Sequence, residues 1–323
     1  MEITKISSEK TESSVIVRKN KKKSVLKQIK NSWQLYVLFF LPFVYIIIFH
    51  YIPMYGVTIA FKSFNPVQGI LGSPWIGFDH FIRFFNSYEF WRVIKNTLIL
   101  SFYQLIAGFP FPIILALSLN YVNKKRFKKT VQMVSYAPHF ISVVVMVGII
   151  FVFLEPRGPI NGLLTLLGFE SVHFMGNPDY FKSIYVWSGI WQSVGFSCII
   201  YLAALSSISP ALHEAAVIDG ASKLQRIWHI DIPGILPITI ILLILDMGNI
   251  LNVGFEKALL LQNPLNLKSS EIIDTYVYKV GLVSAVPNYS YAAAIGLFKS
   301  IIGLILIYSV NKFAKKVGQE SLW

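Results

Sequence analysis

A single cysteine, Cys198, occurs in 323 residues, so no disulfide can form within the chain and no thiol pair can hold a metal. Charge is scarce as well: Asp, Glu, Lys and Arg make up 14% of the residues, and the 16 acidic ones are outnumbered by 29 basic ones. No Gly-Lys dipeptide exists, which excludes a phosphate loop of the G-x-x-x-x-G-K-[ST] type. H-E-x-x-H, G-x-S-x-G and C-x-x-C are also missing, and the histidines, His50, His80, His139, His173, His213 and His229, are scattered without a ligand-like pair. No catalytic residue and no metal site is expected, and each histidine reads as structural.

What the chain has instead is apolar surface. It is 54% hydrophobic with a mean hydropathy of +0.58, a composition of the membrane class. A hydrocarbon core takes about 20 helical residues, and six runs qualify: 33–51, 98–119, 131–154, 184–206, 235–253 and 291–310. They do not alternate apolar with polar, as barrel strands must, so the fold expected is an all-α membrane protein of six transmembrane helices. Cys198 falls inside the fourth run and reads as packing. Pro110 and Pro112 sit inside the second, where a kink is expected.

Basic residues set the orientation. Residues 1–32 carry nine Lys or Arg, 121–130 five, 207–234 two and the stretch from Asn311 three, which makes nineteen. The alternate loops carry four in 55–95, one in 155–180 and three in 254–290, which makes eight. The positive-inside rule then places both termini in the cytoplasm of a multi-pass plasma (inner) membrane protein. The +13 charge concentrates beside the membrane, so anionic lipid explains it and nucleic-acid binding is not expected. Residues 1–32 read as a basic flexible tail whose last part is either a short interfacial helix or plainly solvated. The first apolar run lacks a small-x-small cleavage site and reads as a retained anchor. Residues 33–323 form one membrane domain with no internal repeat. Within it, 55–95 is expected as an ordered loop rich in turn residues with a surface helix.

Between the fourth and fifth runs, at about 207–234, lies a polar loop containing Glu214, Ala215, Ala216, Asp219, Gly220 and Ala221, with Pro233 before the next run. Good helix formers from Pro210 to Ile218 predict a short helix that Gly220 ends. Asp219 opposes that helix's dipole, so it is expected to turn inward and bond the backbone of the bend, while Ser222 caps a second short helix to about His229. Two short helices at an angle make a compact knob that small Ala side chains let approach another surface closely. Glu214, near its start, suits a charge-assisted contact with an Arg. The plain alternative is an ordinary Ala-containing loop helix.

The E-A-A-x-x-D-G-A spacing with a following Pro resembles the cytoplasmic coupling loop of ATP-binding-cassette importer permeases. Further residues resemble the maltose-type carbohydrate permeases, in the lipoprotein-associated, polysaccharide and aldouronate-oligosaccharide branch. They are Tyr51-Ile52-Pro53-Met54-Tyr55-Gly56, Gly72-Ser73-Pro74-Trp75, Asn96-Thr97-Leu98, Phe109-Pro110, Tyr136-Ala137-Pro138-His139-Phe140, Ile200-Tyr201-Leu202-Ala203-Ala204-Leu205, Gly254-Phe255-Glu256, Asp274-Thr275-Tyr276-Val277-Tyr278, Gly296-Leu297-Phe298-Lys299-Ser300 and Leu322-Trp323. The resemblance covers about 34–323 and implies a type I importer permease fold. It implies as partners a second homologous permease subunit, a pair of ATPases that bind ATP and Mg and hydrolyse it, and an extracytoplasmic sugar-binding lipoprotein. No cofactor is expected in this chain. Asp246 departs from the basic or neutral residue expected of this branch, so the cavity's electrostatics are not carried over.

Asp246, Asn249, Asn252 and Glu256 fall at offsets of zero, three, six and ten, one arc of about 120° on a continuous helix. Polar residues inside a membrane face a cavity or a partner helix, so this stripe is either a wall of the translocation path or a contact with the second permease. Trp187, Trp191 and Gln192 offer indole faces and an amide to a sugar, or anchor the helix at the interface. Tyr103 and Gln104 are weaker candidates. Two other classes compete. An enzyme on lipid-linked sugars needs an acid, base or metal constellation that is not visible. An ion-driven transporter would use Asp246 or Glu256 as an ion site and often carries inverted repeats.

Overall fold

The computed structural model describes residues 32–316. The tail expected at 1–32, apart from Ser32, and the Leu322-Trp323 pair lie outside the described residues. Among these the secondary structure is helical, with one isolated bridge between Lys62 and Trp75. Six helices are long and apolar enough to cross a membrane: Trp33–Phe61, Glu89–Asn120, Val143–Leu166, Pro178–Ser206, Lys223–Gly248 and Tyr289–Lys312. They are called spans one to six below.

The chain forms two compact units, Met1–Gly56 and Val57–Trp323. In the first, helix Trp33–Ile46 passes through a π turn, Ile47–Tyr51, into Ile52–Met54. Pro53 has no N–H to give and its ring would crowd the carbonyl four residues back, and the wider π turn relieves both demands. The same device, Ile227–Asp231, precedes Pro233. Span five therefore runs unbroken from Lys223 through Pro233, and the separate second short helix expected to end near His229 is instead its first turns.

In the second unit, span four is the hub. Near its start Tyr185, Val186 and Ile190 pack with Leu100 of span two and Met146, Val147 and Ile150 of span three. Towards its end Cys198, Tyr201 and Leu205 pack with Ala116 and Leu119 of span two and Ile235 of span five, which confirms the cysteine as packing. Gly195 allows the closest approach: a Cβ there would stand 2.0 Å from the Ser135 carbonyl oxygen. Residues 55–95 form the expected turns and surface helix, Asp79–Phe85, whose Phe81 and Phe84 are buried.

Two expected runs are corrected. The third, 131–154, is not one helix: Lys125–Tyr136 ends in a 3₁₀ turn, Ala137–Phe140, and a new helix, Val143–Leu154, starts beyond. Pro138 removes a donor, Ile141 and Ser142 are extended, and the Ser142 hydroxyl accepts from Val145 N at 3.4 Å as an N-cap. The fifth, 235–253, ends at Gly248; Asn249 caps it and the chain turns before Gly254, at φ +101°, starts Phe255–Leu261. Span two is divided at Phe109, just before the two prolines.

Candidate functional site: a polar loop and a membrane-embedded cavity

The loop between spans four and five is built by three local devices. Pro210, with its φ already set for a first turn, starts helix Pro210–Ile218. Gly220, at φ +77°, ends it: Ala221 N donates to Ala216 O at 2.8 Å and Gly220 N to Val217 O at 3.1 Å. That pair of bonds is a Schellman stop. A capping box follows, in which Gln225 N donates to Ser222 Oγ at 3.3 Å and Ser222 N to Gln225 Oε1 at 2.7 Å. The N–H groups of Asp219, Gly220, Ala221 and Ser222 each donate to a local acceptor, so two helical segments are joined with little slack.

Glu214 and Ala215 are exposed and Ala216 is half-buried. Asp219 corrects its expectation: it is exposed and its carboxylate bonds nothing among the described residues, because the Schellman bonds already satisfy the bend. Leu212, Val217, Ile218, Leu224 and Trp228 are also exposed, an apolar surface that the Ala-centred reading missed.

The loop is tied down by a residue the sequence did not single out. Asp231 is fully buried; Tyr121, just past span two, donates its hydroxyl to Asp231 Oδ2 at 2.6 Å. His213 Nε2, from the loop helix, lies 3.3 Å from Oδ1 and forms an ion pair whenever the imidazole is protonated. The Arg226 guanidinium lies over the Tyr121 ring at 5.5 Å. Burial, then the hydrogen bond and charge of Asp231, push the Tyr121 phenol up to about 12, so the tyrosine remains a donor. The signal in the sequence was an Asp inside an otherwise apolar helix start.

Spans two, four and five enclose a cavity of about 580 Å3. Gln104 and Phe109 come from span two, Ser193 and Phe196 from span four, and Asp246 from span five, with Asn249 and Asn252 on the turn that follows. Three members of the expected stripe thus meet, but not because they share a helix. Asn249 Nδ2 donates to Leu245 O at 3.2 Å, and Lys299 Nζ donates to Asn252 Oδ1 at 2.9 Å. Glu256, in the first turn of the next helix, is not in the wall, because the helix ends at Gly248.

Trp187, Trp191 and Gln192 are not in the wall either. At about 100° per residue, the two indoles lie on the side of span four opposite Ser193 and Phe196. Trp187 Nε1 donates to Tyr103 Oη at 3.0 Å, and Gln192 Nε2 donates to the Ile141 carbonyl at 2.9 Å, a group freed by the break before span three. Tyr103 serves Trp187, whereas Gln104 does line the cavity.

The turn carrying the asparagines is held by span four. The Tyr185 hydroxyl donates to Val253 O, and Lys257 Nζ donates to the Tyr185 carbonyl at 2.8 Å and stands 4.7 Å from that ring. Burial lowers Lys257 to about 8.

Known proteins resemble this chain along most of its length. Residues 108–319 match the model of a family described as binding-protein-dependent transport system inner membrane component. The polygalacturonan/rhamnogalacturonan transport system permease protein YteP of Bacillus subtilis (strain 168) is 43% identical over 310 residues, 96% of each chain. Protein LplB of the same organism is 43% identical over 295 residues, covering 91% of this chain and 92% of that protein. A chain in the crystal structure of a bacterial ABC transporter involved in the import of the acidic polysaccharide alginate superposes with a TM-score of 0.85 at 41% identity. That match covers 91% of this chain and 99% of the other.

Proposed function

This chain belongs to the family of binding-protein-dependent transport system inner membrane components, and on that premise we propose that it lines half of an oligosaccharide path and receives mechanical work through its 207–234 loop. It is a multi-pass membrane permease, not an enzyme. Its partners are an extracytoplasmic binding protein, a second permease and an ATPase. ATP and Mg2+ belong to that ATPase, which occurs as a pair, and the binding protein is a sugar-binding lipoprotein. The named glycans of the relatives, polygalacturonan, rhamnogalacturonan and alginate, support an oligosaccharide cargo. Both termini and the loop face the cytoplasm, a placement supported by the nineteen-to-eight basic asymmetry.

The observation that carries the reading is the loop itself. A helix stopped by a Schellman turn, a capping box and the Asp231 anchor transmit a push as a rigid body, which a slack loop would absorb. Ala215, Ala216, Gly220 and Ala221 let the loop seat closely in the ATPase, Ile218 and Val217 supply apolar contact, and Glu214 meets a cation there. Charge reversal, Glu214→Lys, is expected to leave the complex assembled while transport-linked ATP hydrolysis falls about tenfold or more, the effect of a lost charge-assisted contact replaced by repulsion. Purified complex in proteoliposomes, with binding protein and oligosaccharide inside or outside, gives the readout; an assembled variant with the original rate of hydrolysis and import would remove Glu214 from the contact.

The cavity wall of Asp246, Asn249, Asn252 and Gln104, with Phe109 and Phe196, suits sugar, which presents hydroxyl rims and apolar C–H faces. Asn249→Leu is expected to lower uptake several-fold with complex yield intact, because it exchanges a hydroxyl partner for an alkyl group. Loss of assembly in place of loss of uptake would assign Asn249 to the permease–permease contact.

A further inference from the structure

The cavity wall contains one carboxylate and no cation. Asp246 is exposed to the cavity, its carboxylate bonds nothing among the described residues, and no Lys, Arg or His is among the lining residues. Two cations stand behind the wall: Lys299, on Asn252, is bound by both oxygens of Asp274 at 2.7 Å, and Lys257, whose Nζ lies 3.2 Å from where a Cβ on the lining Gly189 would stand, is turned to the Tyr185 carbonyl. When ionised, that carboxylate is the one negative charge among the lining residues, and the low-dielectric walls of the cleft focus its field across the opening. An uncompensated carboxylate at membrane depth is also costly, and such residues serve the path they face.

We infer that Asp246 makes this half of the path selective by charge, admitting neutral or amino-bearing sugar and rejecting uronate. The inference rests on the transport reading above. An ionised carboxylate only accepts hydrogen bonds, which suits hydroxyl and ammonium donors, while a uronate brings a like charge into the same small volume. Phe109 and Phe196 meanwhile serve any pyranose face and do not discriminate charge. The contrast with the relatives is chemical: polygalacturonan and alginate carry carboxylates along the chain, and this wall offers them no cation.

The test labels the assembled complex with two sugar reagents of matched size, glucosyl and glucuronosyl methanethiosulfonate. Cys198→Ala removes the native thiol, and Asn249→Cys or Ser193→Cys places a reporter in the wall, two sites so that one poorly assembled variant does not decide the matter. Each rate is divided by that of the same reagent with a free thiol. The neutral reagent is expected to win by about tenfold, and Asp246→Asn to bring the ratio towards one at both reporters. Trp191→Cys, on the opposite face of span four, should show a ratio that Asp246→Asn does not move. A ratio near one in the parent, or one unchanged by Asp246→Asn, overturns the inference even if oligosaccharide import stands; absence of glycan-dependent import by the Cys198→Ala complex without a reporter, with the ratio intact, would instead strike the transport reading.

Discussion

Lys257 carries an ammonium into the interior with a carbonyl and a ring as its partners, and no carboxylate pairs with it among the described residues. Burial lowers it from 10.5 to about 8. Below pH 8 the group is charged in both folded and unfolded chains, and the cost of burying that charge is fully present. Between about 8 and 10.5 the unfolded chain holds more protons than the folded one, so stability gains as pH rises through this window. The whole effect is worth about 3 kcal/mol at most. Lys257→Met keeps the stem and removes the titration. Unfolding midpoints of the purified complex, measured from about pH 8 to about pH 10, should therefore rise relative to the variant's; parallel curves would mean that Lys257 titrates as a solvated lysine. The residue was hidden in the sequence because a Lys beside Ala258, Leu259, Leu260 and Leu261 looks like any interfacial lysine, and only the fold brings Tyr185 over it.

Between helices, contact is decided by where a side chain is missing. Gly195 faces the Ser135 carbonyl carbon and oxygen and the Tyr136 nitrogen, so a methyl group there meets backbone on a neighbouring segment and no rotamer change relieves it. Gly195→Ala should destabilise the bundle by about 1–3 kcal/mol. Gly148, in the helix Val143–Leu154, has nothing within 4 Å of its would-be Cβ, and Gly148→Ala should instead stabilise by up to about 1 kcal/mol through helix propensity. Opposite signs in thermal unfolding of the two variants are expected, and equal effects would contradict the close approach at Gly195. The same scale explains which span limits were legible. Length and hydropathy suffice to count six runs, since the bilayer sets the minimum. They do not mark the ends. The third run reads through Ala137-Pro138-His139-Phe140-Ile141-Ser142 because those residues are mostly apolar, yet Pro138 and Ser142 are a stop and a start. The fifth reads through Ile250, Leu251 and Val253 because they are buried in a turn and not in a membrane helix. That overrun put Glu256 on a helical stripe it does not share. Trp187 and Trp191, read as sugar contacts or interfacial anchors, fall outside the cavity wall for a different reason: periodicity groups residues by face but does not say which face meets a cavity.

At the scale of the molecule, the loop and the cavity serve one mechanism only if they lie in the right compartments, and orientation follows from charge placement. Nineteen Lys and Arg flank one set of ends and eight the other, on longer stretches. Moving a cation across the bilayer during insertion is opposed, and on that ground the proposal keeps the richer set in the cytoplasm. The proposed orientation puts the loop helix inside, on the side of the ATPase, and the segment between spans three and four outside, on the side of the binding protein. Native Cys198 is fully buried, which makes a thiol-free background by Cys198→Ala a small change. In that background Glu170→Cys, exposed between spans three and four, should react with a membrane-impermeant maleimide in intact cells, and Glu214→Cys should react only after the membrane is opened. Ala216 and Gly220, which make the loop compact, would have no ATPase to seat against if Glu214→Cys were labelled from outside. In that event the nineteen-to-eight asymmetry would have failed as a guide and the coupling role would fall with it, whatever the family match along 108–319.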